Sequence, residues 1–396
     1  MTSTADSALP VTGLPEGEAE AVRSGRLDIG WARILSTLPR SRFLPDVIWP
    51  KDPATGVNIP VDKAVDPVSW RGWADADVPI VTQWDDRSTG GPGDTATSSA
   101  SQPALVVNML AELDARPGHR VLDAGTGTGW TTGLLAARTG SANVVGIEYD
   151  AAVADAARAR LHAAGLDPLV VTGDGAAGWP ARAPYDRIQC TYAVRRIPPA
   201  WVEQTRPGGL IVAPWETGLT HHGALVRLTV DEDGTASGPF VRSVQFMGSR
   251  PERPTPVDRE DYLPSDVDSW PDGTDQTTST LRPADLWDTP YSAAWWTVGL
   301  LVPDVVHATS TADDGTLIGW LFSRRCRSWS IAYFDDDPEA EVYQGGPRRL
   351  WDEVETAHRW WAEHGRPGHE DFGLTTGTET ERVWLRDPAN IIGPDR

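Results

Sequence analysis

The chain has 396 residues, 40% of them hydrophobic and 23% charged, enough for two or three domains with a large core. Its formal charge of −21 argues against general nucleic-acid binding, which needs clustered Lys and Arg, and against an anionic membrane surface as partner. The N-terminus has no basic stretch followed by an apolar one, and no run of about 18 apolar residues occurs anywhere. A signal peptide and a membrane span are therefore not expected, and the expected location is the cytoplasm.

Residues 1–20 read as a disordered tail. From Ala19 to Leu38, apolar residues at helical spacing (Val22, Leu27, Trp31, Ile34, Leu35, Leu38) predict a helix or a helix pair, stopped by Pro39. Ser41–Pro50 reads as extended, and Val78–Thr82 as a strand. Arg87–Ser101, rich in Gly, Ser and Thr, has the composition of a surface linker. Pro103 suits the first position of a helix carrying Leu105, Val106, Met109, Leu110 and Leu113, which puts Ser101 beside a helix N-terminus.

The next segment alternates strands and helices: strand 120–124, helix 129–139, strand 143–148, helix 151–164, strand 168–172, strand 186–192, a helix near 198–205 and strand 210–214 after the turn Pro207-Gly208-Gly209. That alternation predicts a doubly wound parallel α/β sheet, with Thr220–Val230 as a further strand at its edge. Residues 248–290, rich in Pro, Asp, Ser and Thr, read as a linker or wrapping segment. Beyond them an α+β region is expected, with paired strands Leu317–Phe322 and Trp329–Phe334. A helix over Pro347–His364 carries Leu350, Trp351, Val354, His358 and Trp361 on one face, with Gly365 as its C-cap, and Val383–Leu385 closes the chain as a strand. Many of the 19 tryptophans fall in this last third and predict a second core or binding surface.

The loop VLDAGTGTGW places Gly125, Gly127 and Gly129 between a strand and a helix, where glycine lets a ligand approach the backbone. The spacing is GxGxG, without the third glycine of GxGxxG, and no GxxxxGK[ST] is present, so the NAD and P-loop patterns are not met. Acidic residues fall at three strand ends: Asp123, then Glu148 about twenty residues past the loop, where a carboxylate accepts both ribose hydroxyls, and Asp174, where one accepts from an adenine amino group. Without a pyrophosphate cradle, this set suits S-adenosylmethionine. Cys190 and Cys326 match no disulfide framework or zinc spacing and are expected as buried thiols in a reducing compartment. His221-His222 lacks partners at ligand spacing, and Ser101 lacks the GxSxG of a hydrolase nucleophile, so no metal and no hydrolase are expected.

Five segments in order, TSSASQP (97–103), VLDAGTGTGW (121–130), VTGDGAAGWP (171–180), APYDRIQCTYAVRRIPP (183–199) and PGGLIVAP (207–214), resemble the protein L-isoaspartate O-methyltransferase family over roughly residues 41–230. The resemblance implies an S-adenosylmethionine-dependent methyltransferase fold and Ser101 as the active-site hydroxyl. Ser99, Ser101, Asp123, Gly125, Thr126, Gly127, Gly129, Glu148, Tyr149, Gly173, Asp174 and Gly175 would form the cofactor site. Ser101, Gln102, Ala193, Val194, Arg195 and Arg196 would face a peptide, within a segment Thr191–Ile197 that lines its site.

Three features depart from the repair enzyme: the Ser-rich TSSASQP, the Arg195-Arg196 pair, and about 150 residues after the catalytic domain. VTQWDD (81–86) and VWLRDP (383–388) look like the methyltransferases that accompany ATP-grasp enzymes in graspetide clusters. The expected organisation is a tail 1–20, an N-terminal cap 21–100, a methyltransferase domain 101–247, a linker 248–290 and a Trp-rich substrate-recognition domain 291–396. The expected reaction is esterification of an aspartate side chain in a peptide, a cyclised ribosomal product of an ATP-grasp enzyme by this resemblance, followed by closure to a succinimide. Repair of isoaspartyl proteins and a peptide-binding scaffold with a vestigial methyltransferase are the alternatives.

Overall fold

The computed structural model describes residues 16–87, 93–219, 222–253, 257–263, 271, 273–287, 289 and 291–395. The chain divides into two compact units, one of residues 1–191 with 200–212 and one of residues 192–199 with 213–396.

In the first unit, α1 (Glu16–Arg23) and α2 (Ile29–Thr37) form the expected helix pair, Asp28 capping α2 through the Gly30 N–H. The tail expected over residues 1–20 is already helical from Glu16; residues 1–15 lie outside the described ones. A small antiparallel sheet follows in the order β2-β1-β3-β4, from β1 (Val47–Pro50), β2 (Val61–Asp62), β3 (Ile80–Trp84) and β4 (Ala96–Ala100), with α3 (Pro67–Asp75) between β2 and β3. Its core is Leu44, Ile48, Val61, Trp70, Ala74, Ile80 and Ala100. The linker expected over Arg87–Ser101 is thus corrected for its second half. Thr97, Ser98 and Ala100 are buried in β4, and pairing with β3 overrides a composition that reads as loop. Residues 88–92 lie outside the described ones.

After α4 (Pro103–Leu113) comes the predicted alternation: β5 (Val121–Ala124), α5 (Trp130–Thr139), β6 (Val144–Glu148), α6 (Ala151–Ala163), β7 (Leu169–Thr172), β8 (Tyr185–Cys190), α7 (Pro199–Gln204) and β9 (Thr205–Trp215). Within this unit the strands are parallel in the order β7-β6-β5-β8-β9. The doubly wound sheet is therefore present. Every residue of β5 and β6 is buried, as expected for central parallel strands covered on both faces. The strand order reverses between β5 and β8, so groups at the carboxyl ends of β5, β6 and β8 converge on one crevice. Pro207-Gly208-Gly209, expected as a turn, lies inside β9 as an unpaired excursion: Tyr185 pairs with Thr205 and Arg187 with Leu210, and Gly208 takes φ 74°.

In the second unit, β10 (Gly223–Val230) bears out a strand within Thr220–Val230, although not the edge position expected for it, and Thr220 and His221 lie outside the described residues. It pairs antiparallel with β11 (Ala236–Val244). The stretch 248–290, read as linker, contains an edge strand, β12 (Asp275–Ser279), and a short helix, α8 (Pro283–Leu286). After α9 (Ala293–Leu301), the strands β13 (Val305–Thr311), β14 (Leu317–Ser323), β15 (Trp329–Phe334) and β16 (Ala340–Gly345) complete an antiparallel sheet in the order β12-β16-β15-β14-β13. The expected β14–β15 pairing is present. The helix α10 (Leu350–Glu363) buries Leu350, Trp351, Val354 and Ala357; His358 and Trp361 are only partly covered. A core of Trp295, Val298, Leu321, Phe334, Val342, Trp351 and their neighbours sits between helices and sheet, which is where the tryptophan-rich sequence goes. β17 (Phe372–Thr376), β18 (Glu381–Leu385) and β19 (Ile391–Ile392) extend β10 and β11 in the order β10-β11-β17-β18-β19.

Cys190 is buried as expected; Cys326 is half-buried, its Sγ 3.3 Å from the hydroxyls of Ser323 and Ser328. Among the described residues no helix is long and apolar enough to cross a membrane.

Candidate active site

The glycine loop of the first unit has the backbone its sequence demands. Gly125, Gly127 and Gly129 take φ of 95°, 54° and 94°, a region that other residues enter only with strain. A Cβ on Gly129 would lie 3.4 Å from that of Ala157, so this glycine also lets the loop pack on α6. Gly146 leaves room for Thr126, whose Oγ1 would lie only 2.4 Å from a Cβ there. That hydroxyl is buried with no hydrogen-bond partner among the described residues.

Glu148, buried at the end of β6, accepts the Gly127 N–H at 2.8 Å through Oε2 and the Asp150 N–H at 3.0 Å through Oε1. Each carboxylate oxygen keeps a second lone pair, which suffices for a diol. Tyr149 beside it is 52% exposed. Asp174 is exposed; its Oδ1 caps the following turn through the Ala176 N–H at 2.9 Å. Gly173 donates to the Glu148 carbonyl at 2.9 Å, and buried Gly175 accepts from the Trp201 indole at 2.8 Å, so the second and third strand ends are joined.

Asp123 behaves differently from the other two acids. It is fully buried and accepts from Thr132 Oγ1 at 2.6 Å and Gln189 Nε2 at 3.3 Å. Burial pushes its carboxyl up to about 6, against the pull of those two bonds, with Glu148 adding a smaller push. It therefore faces protein groups within the fold, a supporting position that the sequence did not distinguish from a ligand-facing one. Thr132 and Gln189 carry no local sequence signal that singles them out, whereas Thr191, expected at the start of the peptide-lining segment, turns its hydroxyl to the Gly125 carbonyl at 2.6 Å.

Ser99 is half-buried on β4, and Ser101 follows that strand at the entry to α4. The Ser101 hydroxyl has no hydrogen-bond partner among the described residues, while its carbonyl accepts from Arg40 at 3.0 Å. Arg40, buried, also donates to the carbonyls of Trp73, Ala74, Ala76 and Val78. Asp77 accepts from the Gln102 amide and from the Ala104 N–H, both at 2.8 Å, and so caps α4 from a distant loop. Gln102 is thus occupied by Asp77. Gln83 links β4 to the loop after β6, accepting from Thr97 at 2.8 Å and donating to Asp150 at 2.9 Å. Arg40, Asp77 and Gln83 act across gaps of 14 to 67 residues, so no local signal pointed to them.

Ala193, Val194, Arg195 and Arg196 belong to the second unit. Ala193 and Val194 are buried and held by backbone bonds: Ala193 to Met247 and Ser249, Val194 to Pro214 and Glu216. Arg195 lies 3.3 Å from Glu216, and Arg196 donates to the Glu379 carbonyl at 2.5 Å. Both arginines, expected from the resemblance to face a peptide, have partners inside the protein.

His222 packs edge-on against Tyr291, and His221 lies outside the described residues. Among the described residues no three His, Cys, Asp or Glu side chains gather as metal ligands.

The first unit's residues fit an adenosyl cofactor on three counts. The loop is open to close approach, Glu148 offers paired free lone pairs at the β6 end, and the Thr126 hydroxyl is buried without a partner among the described residues.

Residues 73–250 match the model of the protein-L-isoaspartate(D-aspartate) O-methyltransferase family. A protein-L-isoaspartate O-methyltransferase of Methylorubrum populi is 43% identical over 134 residues, 34% of this chain and 61% of that protein. That of Methylorubrum extorquens is 34% identical over 212 residues, 54% of this chain and 76% of the relative. Protein-L-isoaspartate O-methyltransferase 2 of Archaeoglobus fulgidus is 38% identical over 154 residues, covering 69% of its length. A solved protein-L-isoaspartate O-methyltransferase shares the fold at a TM-score of 0.53 and 19% identity, spanning 94% of this chain and 99% of its own.

Proposed function

The chain belongs to the protein-L-isoaspartate O-methyltransferase family of S-adenosylmethionine-dependent methyltransferases, and we propose that it esterifies an aspartyl-type carboxylate in a peptide or protein. The observation that carries this reading is the paired arrangement in the first unit: a glycine loop closed by Glu148, and a Ser101 hydroxyl that has no partner among the described residues. Glu148 would hold the ribose, Tyr149 and Asp174 the adenine, and the Gly125–Gly129 loop the amino-acid portion. The bound cofactor supplies an electrophilic methyl group on a sulfonium. The acceptor carboxylate is already ionised at neutral pH, so the protein needs no strong base and acts by positioning. Ser101 donates to one acceptor oxygen and aims the other in line. Arg40 and Asp77 hold the backbone on either side of that hydroxyl.

Methoxide leaves an ester carbonyl far more readily than oxide or hydroxide leaves a carboxylate. Attack by the neighbouring backbone nitrogen expels methanol and closes a five-membered succinimide, a step favoured by high effective molarity. Two acceptors are compatible with this chemistry. Protein L-isoaspartate is the acceptor named for the relatives. An aspartate in a matured ribosomal peptide is the second, suggested by the VTQWDD and VWLRDP segments, which lie near the start of the family match and beyond its end.

Mass spectrometry distinguishes them. Purified protein with S-adenosylmethionine is offered an isoaspartyl peptide and, separately, a cyclised acidic peptide from an ATP-grasp enzyme. A gain of one methyl and then loss of methanol on the cyclised peptide alone supports maturation. Turnover of the simple isoaspartyl peptide alone supports repair, and no methyl transfer to either overturns the proposal. Ser101→Ala is expected to lower kcat by about 100-fold, the usual effect of removing one aligned donor.

A further inference from the structure

The second unit holds a buried acid that the proposed chemistry does not use. Glu381, at the start of β18, is 0% exposed. Its Oε2 accepts the Ile197 N–H at 2.8 Å, and its Oε1 accepts the Trp215 indole N–H at 2.9 Å. Two residues earlier, the Glu379 carbonyl accepts from Arg196. Val194 is bridged to Trp215. The segment Tyr192–Pro199 is therefore fastened to the C-terminal strand at Arg196 and Ile197, and through Trp215 at Val194, although nearly 200 residues of sequence separate the bonded groups.

We propose that Glu381 is a positioning residue for the acceptor: it fixes the backbone of the Val194–Ile197 segment so that this segment presents one preformed surface to the peptide. The proposal rests on the reading of this segment as acceptor-facing, and it gives the C-terminal extension a specific task within that reading. Burying a carboxylate is costly unless its bonds are complete, and here a charge-assisted bond to a main-chain N–H serves order in the segment better than an apolar contact would. Among the described residues the side chain meets these two donors. An amide in its place has one acceptor oxygen, so in Glu381→Gln one of the two N–H groups faces another N–H. Ile197, a backbone donor with no freedom to turn away, then loses its hold.

The test compares wild type, Glu381→Gln and the double variant Glu381→Gln/Trp215→Phe in steady-state methyl transfer. Cofactor affinity is measured alongside as a control of folding. In Glu381→Gln the KM for the acceptor is expected to rise about tenfold or more, with kcat changed by less than about threefold and cofactor Kd unchanged. In the double variant the amide oxygen is free for Ile197, and a large part of the acceptor KM is expected to return. Equal acceptor KM in wild type and Glu381→Gln, or a loss confined to kcat, overturns the proposal. If Glu381→Gln does not fold, amide exchange in the wild-type protein decides. The Ile197 amide is expected to be protected before any acceptor is added, and protection appearing only with acceptor overturns the assignment. Failure of wild type to methylate any carboxylate defeats the functional reading itself and is recognised separately from these outcomes.

Discussion

In the first unit, acidic side chains stand at the ends of parallel strands: Glu148 answers backbone N–H groups of the glycine loop and of the turn after β6 and keeps free lone pairs. In the second unit, strands are antiparallel and a buried acid, Glu381, joins distant segments of chain. The titrating groups differ as well. Burial raises Asp123 to about 6 and Glu18 to about 7 in the first unit, and lowers His307 to about 4 in the second. The same desolvation acts on both, and the sign differs because an acid is charged when deprotonated and histidine when protonated. A parallel sheet leaves strand ends available for chemistry, while an antiparallel one uses its polar groups to hold a shape.

Several substitutions would sharpen or break this contrast. The largest effect is expected from Arg40→Ala, which strands five backbone carbonyls and should destabilise the first unit by about 3–5 kcal/mol. Amide exchange would read this in α3 and β3, with β14 and β15 as the reference. A uniform loss of protection in both units would contradict the division. Next, Glu148→Ala should weaken cofactor binding by about 100-fold, or about 2.7 kcal/mol, in a calorimetric titration. Unchanged affinity would move the cofactor away from β6.

The pH dependence is of intermediate size. Between pH 4 and 6 the unfolded chain releases the Asp123 proton and the folded one keeps it, so this group makes stability fall as pH rises. Between pH 6.5 and 4 the unfolded chain takes up a proton that buried His307 refuses, so this group makes stability fall as pH falls. In urea titrations across pH 4–6.5, Asp123→Asn should remove the first slope and His307→Phe the second, each on the order of 2 kcal/mol. Slopes of the same sign in both variants would refute the contrast. The smallest effect is expected for Tyr149→Ala, about fivefold in cofactor affinity for loss of a stacking ring at an exposed site, while Tyr149→Phe should leave it unchanged.

What could be read from the sequence depended on the range of the interaction. The α/β alternation, the positive-φ glycines, the placement of Glu148 and Asp174 at strand ends and the tryptophan-rich second core all rest on periodicity and local backbone chemistry, which a linear pattern carries. Two segments were misread for the same reason: β4 and β12 have the composition of loops and become strands only because β3 and β16 offer them hydrogen-bonding edges. The roles within the site divided likewise. Glu148 was recognisable by its spacing from the loop. Asp123 needed tertiary burial and Thr132 and Gln189 around it to show itself as support, and Arg40, Asp77 and Glu381 depend wholly on contacts between residues far apart in the chain. The sequence alone determined the scaffold and the cofactor end of the site, because those follow from neighbours along the chain. Which residues brace Ser101 and the Val194–Ile197 segment was decided only when folding brought together groups 25 to 184 positions apart.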